Sequence, residues 1–135
     1  MMNIIFLLLF AMATPAQEAR DATGTWKVTD RETRFRMEKV EDGFAVHLGA
    51  EHEVYAEYEV HLEPTAHPNG YRGEGYFIAR LSGDRECRFE TEWQIAIASD
   101  VRIVGVITSI VPAPEGCAAK ETSQIPLDLR REPER

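Results

Sequence analysis

The sequence predicts an all-β domain, an eight-stranded antiparallel barrel of up-and-down order. Three observations lead there: short segments in which apolar and polar residues alternate, turn-forming residues at intervals between them, and no stretch with a 3.6-residue apolar period. Strands joined by short turns can close on themselves and leave no edge, which favours the barrel. A two-sheet β-sandwich is the alternative.

Ahead of the domain lies MMNIIFLLLFAMATPA. Its apolar run, Ile4 to Ala13, has the length of a signal-peptide h-region and falls well short of the roughly twenty residues that cross a bilayer. Small residues follow at Ala11-Met12-Ala13 and Thr14-Pro15-Ala16, so residues 1–16 read as a signal peptide and 17–135 as a single β-barrel domain. The n-region carries no Lys or Arg. A periplasmic or secreted location without stable membrane insertion is the expectation.

The strands are predicted at 24–30, 33–40, 44–49, 53–62, 70–81, 86–98, 101–111 and 124–131. Between them stand Glu41-Asp42-Gly43, Pro68-Asn69-Gly70, Ser82-Gly83-Asp84 and Ser99-Asp100, where Asp-Gly and Asn-Gly tolerate the positive φ that tight hairpins need. Alternation assigns one face of these strands to the interior, including Trp26, Phe35, Met37, Val46, Val54, Ala56, Tyr58, Phe77, Phe89, Trp93 and Ile125. The other face of the fourth strand, Tyr55, Glu57, Glu59, His61 and Glu63, reads as a solvated acidic stripe.

Two strands depart from simple alternation. The seventh carries Ile103, Val104, Val106, Ile107, Ile110 and Val111 on both faces, so its outer side needs a cover: a packed loop, the chain termini, a protein partner or a second copy in a homodimer through strand 101–111. The eighth contains Pro126, which cannot donate to a ladder and belongs at a strand start, a bulge or an unpaired edge. Imperfect closure between first and last strands is therefore expected.

The chain carries a net charge of -8, all of it outside the uncharged leader. That disfavours nucleic acid and anionic membrane surfaces as partners and favours a basic one. Its two cysteines, Cys87 and Cys117, read as a structural disulfide in an oxidising compartment, and closing that loop stabilises the fold by about 3 kcal/mol on the chain-entropy model.

Gly24-Thr25-Trp26 opens the first strand and Leu127-Asp128-Leu129-Arg130-Arg131 closes the last. This pairing resembles the calycin barrels, meaning lipocalins, avidins and fatty-acid-binding proteins, in which a Gly-x-Trp begins strand one. The resemblance implies a structural lock in which Arg130, or Arg131, covers Trp26 in a cation–π contact of about 1 kcal/mol. It covers only the two ends of the domain, and barrels of this shape host unrelated functions.

No nucleophile elbow, zincin helix, Walker loop or dinucleotide fingerprint is present, so no motif announces an enzyme, and no cofactor is implied. His47, His52, His61 and His67 stand among glutamates, but strand spacing supplies two ligands where a metal needs three or four, and they read as surface histidines. Gly73 and Gly75 in the fifth strand mark either sharp bends or a gap bordered by the ligand-binding candidates Tyr58, Tyr71, Phe77 and Trp93. The expected function is an exported non-catalytic binding protein that holds a small, largely apolar ligand. The alternative is an interaction protein, such as an inhibitor of an exported hydrolase or an envelope assembly factor, that presents the segment from Pro112 to Thr122 as a tethered loop.

Overall fold

The computed structural model describes residues 19–133, and the leader lies outside them. Eight strands follow one another: β1 (Gly24–Val28), β2 (Arg34–Val40), β3 (Gly43–Leu48), β4 (Tyr55–Pro64), β5 (Gly70–Arg80), β6 (Glu86–Ser99), β7 (Arg102–Pro112) and β8 (Ala119–Arg131). Each pairs antiparallel with the next, and β8 returns to β1, so the barrel is closed and the sandwich is ruled out. No helix among the described residues is long and apolar enough to cross a membrane.

Closure is narrow. β1 and β8 share only the pairs Trp26 with Arg131, Lys27 with Arg130 and Val28 with Leu129, after which β1 turns away. Pro126 lies beyond that turn, paired to Val106 on one side and facing no described strand on the other, which is where a residue without an N–H is tolerated.

Two boundaries differ from expectation. β8 begins at Ala119 because residues 119–123 continue the ladder with β7, so the anticipated presentation loop from Pro112 to Thr122 is a hairpin with a short tip at 113–118. In β4 a bulge between Tyr55 and Glu57 shifts the register, which exchanges the faces of the residues before it. Tyr55 therefore packs inward against Tyr58 and Phe77, with ring centroids 5.3 Å apart in each case, while Val54 is 45% exposed. Tyr55 thus stands opposite to its alternation-based assignment, and Val54, assigned to the interior, lies at the rim of the barrel mouth. Ile125, also assigned to the interior, is 41% exposed because β1 ends before it can cover that part of β8.

Space beside the β5 glycines is occupied by backbone. A Cβ on Gly73 would land on the His61 carbonyl of β4, and one on Gly75 on the Glu59 carbonyl, so these positions let two strands approach closely where the sheet coils.

One end of the barrel is shut by the chain leading into β1. Ala22 is fully buried and its carbonyl accepts the Trp26 indole N–H at 2.8 Å, while the Arg20 guanidinium donates to the Ile97 carbonyl at 2.8 Å. Over this plug lies Arg131, its guanidinium carbon 4.4 Å from the centre of the Trp26 ring and its N–H groups donating to the carbonyls of Asp21, Thr23 and Asp100. Arg130 faces outward beside Asp128, so the arginine that covers Trp26 is Arg131 and not Arg130.

Replacing Arg131 by Ala is expected to lower stability by roughly 1–2 kcal/mol, the sum of a cation–π contact and charged hydrogen bonds, whereas Arg130→Ala stays within about 0.5 kcal/mol; parallel urea unfolding of the two variants checks the contrast. The Asp21 carboxyl is held below its ordinary 3.8 by hydrogen bonds from Thr23, and Asp128 below its own by Arg102. A depressed carboxyl stabilises the fold above its unfolded value and loses that contribution as pH falls through the folded one. Asp21→Ala should therefore be less stable than the parent at neutral pH, and the two melting curves should converge as pH drops below 3.8.

Candidate functional site

Most of the interior is solid. Phe35 sits edge-on to Tyr58 and to Trp93 at 4.9 and 5.0 Å, Tyr58 stacks on Phe77 at 5.5 Å, and Phe77 meets Phe89 at 5.6 Å. The Trp93 indole N–H donates to the Tyr58 hydroxyl at 2.9 Å, which satisfies the one polar group of a fully buried ring. Burial pushes the Tyr58 phenol up to about 12 despite that bond, so it stays neutral.

Of the four ligand candidates, Tyr58, Phe77 and Trp93 share this cluster. Tyr71 does not: it lies at the plugged end against Phe44, 5.1 Å between ring centroids. The separation follows from strand geometry, since six residues of extended chain between Tyr71 and Phe77 span about 20 Å.

The opposite end is open and oblique. β1 stops at Val28, level with Leu129, while β8 and β7 continue to Ala119 and Pro112, so one side of the mouth stands far above the other. Beneath the tall side lies an apolar cavity of about 140 Å³, whose walls include Tyr55, Tyr58, Phe77, Ala79, Leu81, Phe89, Ile107, Ile110 and Ile125. Thr108 and Ser109 contribute the wall's aliphatic hydroxyls, and no charged side chain lines it. Tyr58 and Phe77 thus serve two ends at once, closing the core above and flooring the cavity below.

The far wall of that cavity belongs to a two-stranded arm. β6 and β7 pair from Ser99 with Arg102 as far as Trp93 with Ile107, and beyond this point residues 108–112 of β7 pair only with β8. The Cys87–Cys117 disulfide ties the tip of the arm back to the start of β6, with the two Cα atoms 5.2 Å apart. Arg85 adds a clamp, donating to the Gly116 carbonyl at 2.6 Å.

Tyr55 is the cavity residue that alternation missed, and only the bulge would have revealed it. It is held by His52, whose Nδ1 accepts the backbone N–H groups of Val54 and Tyr55 at 3.0 and 3.2 Å. The ring proton therefore sits on Nε2 and is donated to Thr33 Oγ1 at 3.0 Å. Elsewhere His61 pairs with Glu59 on the outer face at 3.2 Å, and among the described residues no three His, Cys, Asp or Glu side chains converge on a metal position.

The chain matches no known family model, and neither curated proteins nor solved structures give a significant match.

Reducing the disulfide, or replacing both cysteines by Ala, should cost about 3 kcal/mol of stability while leaving the barrel formed. Amide exchange is the discriminating measurement: acceleration concentrated in residues 109–124 is expected, since among the described residues no backbone ladder ties them to β6 or β1 once the tip is released.

Proposed function

We infer that this is an exported, non-catalytic binding barrel of calycin-like kind whose mouth cavity receives the apolar end of a small ligand. The cavity carries this reading: a largely apolar recess free of charged walls sits below a rim that leaves Val54, Val111 and Ile125 each more than two-fifths exposed. Its size restricts the guest. About 140 Å³ is close to the volume in which an apolar cavity holds a benzene-sized molecule and below the roughly 300–1,000 Å³ of pockets that engulf whole drug-sized ligands. One ring or a short branched chain enters, and the rest of the ligand stays outside.

Four aromatic walls, Tyr55, Tyr58, Phe77 and Phe89, favour a planar guest through edge-to-face contacts. Burial holds the Tyr55 phenol neutral as well, raising it from its ordinary value, so nothing in the recess attracts a charge. The calycin kinship is supported by the Trp26–Arg131 lock at the plugged end. Export is supported by the leader together with the disulfide. The same exposed rim favours the second reading, docking of a protein partner over the mouth.

Titration with toluene tests the cavity. Saturable shifts of the Tyr58, Phe89 and Ile110 side-chain resonances are expected, and Ile110→Trp, which fills the recess, should weaken toluene by more than about tenfold without lowering the melting temperature. Toluene that leaves these resonances unmoved would sink the proposal.

A further inference from the structure

The seam beside the cavity is a broken ladder. At Glu92 the backbone of β7 no longer meets β6; the Thr108 hydroxyl takes its place, accepting the Glu92 N–H at 3.0 Å and reaching the Glu92 carbonyl at 3.4 Å. β6 nevertheless continues to Glu86 along β5, and β7 to Pro112 along β8, until the disulfide brings arm and strand together again. Between those two ties β6 has a free edge among the described residues.

Parity shows what that edge presents. Ile97, of the opposite parity to Glu92, directs its N–H away from β7, to the Asn69 carbonyl in the β4–β5 connection, whereas Glu92 directs its N–H toward β7. An antiparallel strand repeats this every second residue, so the N–H and C=O groups of Glu90 and Arg88 point into the seam, where no described strand pairs with them. Phe89 and Ile110 of the cavity flank the same gap.

A second, outer recess of about 370 Å³ lies against the seam, and Thr108 lines both it and the cavity. Its acidic walls are Glu74, Glu90 and Glu92. Arg72 approaches Glu92 at 3.4 Å and Arg88 approaches Glu90 at 3.9 Å, whereas Glu74 makes no ion pair among the described residues.

We propose that the β6–β7 seam binds an extended polypeptide segment, which pairs with the β6 edge at Arg88 and Glu90, inserts one apolar side chain into the cavity and sets basic neighbours against Glu74 and Glu90. This rests on the reading of the cavity as a site for one ring-sized group and names what carries that group. A free small molecule would use the cavity alone. An extended chain uses all three features, because its side chains alternate in direction while its backbone offers the complementary donors and acceptors. The net charge of -8 favours the same basic partner.

Four probes on the disulfide-intact protein separate the possibilities: toluene, the blocked tripeptide acetyl-Lys-Phe-Lys-amide, its analogue N-methylated at all three residues, and acetyl-Glu-Phe-Glu-amide. The Lys peptide should bind at least about tenfold more tightly than toluene, as two added main-chain bonds allow, with N-methylation or the Glu exchange removing most of that gain. Amide exchange at Arg88 and Glu90 should slow with the Lys peptide and not with toluene. Replacing both Glu74 and Glu90 by Lys should weaken the peptide and leave toluene unchanged. If toluene binds but the Lys peptide binds no better, or the N-methyl analogue binds equally, or exchange at Arg88 and Glu90 is unaffected, the polypeptide assignment is overturned and the cavity reading survives. If neither toluene nor peptide binds, both fall.

Discussion

Closure of this barrel depends on a five-residue strand. β1 must bridge β2 and β8, yet it offers β8 only three residue pairs, too little on its own to hold two sheet edges together. The rest is supplied around Trp26. Its fully buried ring fills the plugged end, its N–H is satisfied by Ala22, and Arg131 covers its face while gathering three backbone carbonyls, two from the chain leading into β1 and one from the β6–β7 turn. Glu132 continues the tie beyond β8, with its N–H donating to the Thr25 carbonyl and its carboxylate paired to Arg34. Loss of this cluster would open the sheet along its weakest seam.

The shortness of β1 also shapes the other end. A barrel with eight equal strands would present a level rim and a covered β8. Here β1 ends at Val28, so the first part of β8 has no neighbour on one side among the described residues, and the β7–β8 hairpin stands above the mouth as an arm. Residues such as Ile125 and Val111 are exposed for this reason and not because they are solvated by design of the strand's polar face. The disulfide and Arg85 then restrain an arm that ladder hydrogen bonds no longer hold to β6.

Function is constrained by how the interior is filled. The rings of Phe35, Tyr58 and Trp93 interlock at centroid distances of 4.9 to 5.8 Å, leaving no room for a ligand on the barrel axis, and the recess that remains is displaced toward the seam. A site at a seam differs from one inside a barrel. It has backbone as well as side chains to offer, and it adjoins both the apolar interior and the charged outer surface.

Strand content, strand order, the Cys87–Cys117 bond and the position of Trp26 near closure were all legible in the chain, because each rests on local properties: period-two alternation, turn residues, an isolated cysteine pair and the Gly-Thr-Trp start. Alternation also placed Tyr58, Phe77 and Trp93 inside. It could not place Tyr55, since a single bulge reverses the face of the strand residues before it; the fifth-strand glycines group Tyr71 with the others, because nearness to Gly73 and Gly75 in sequence does not report height along the barrel. The choice of Arg131 over Arg130, the end of the β6–β7 ladder at Thr108 and the free edge of β6 were decided only in three dimensions. Each depends on which strand outlasts its neighbour, a relation between segments distant in sequence that no local pattern records.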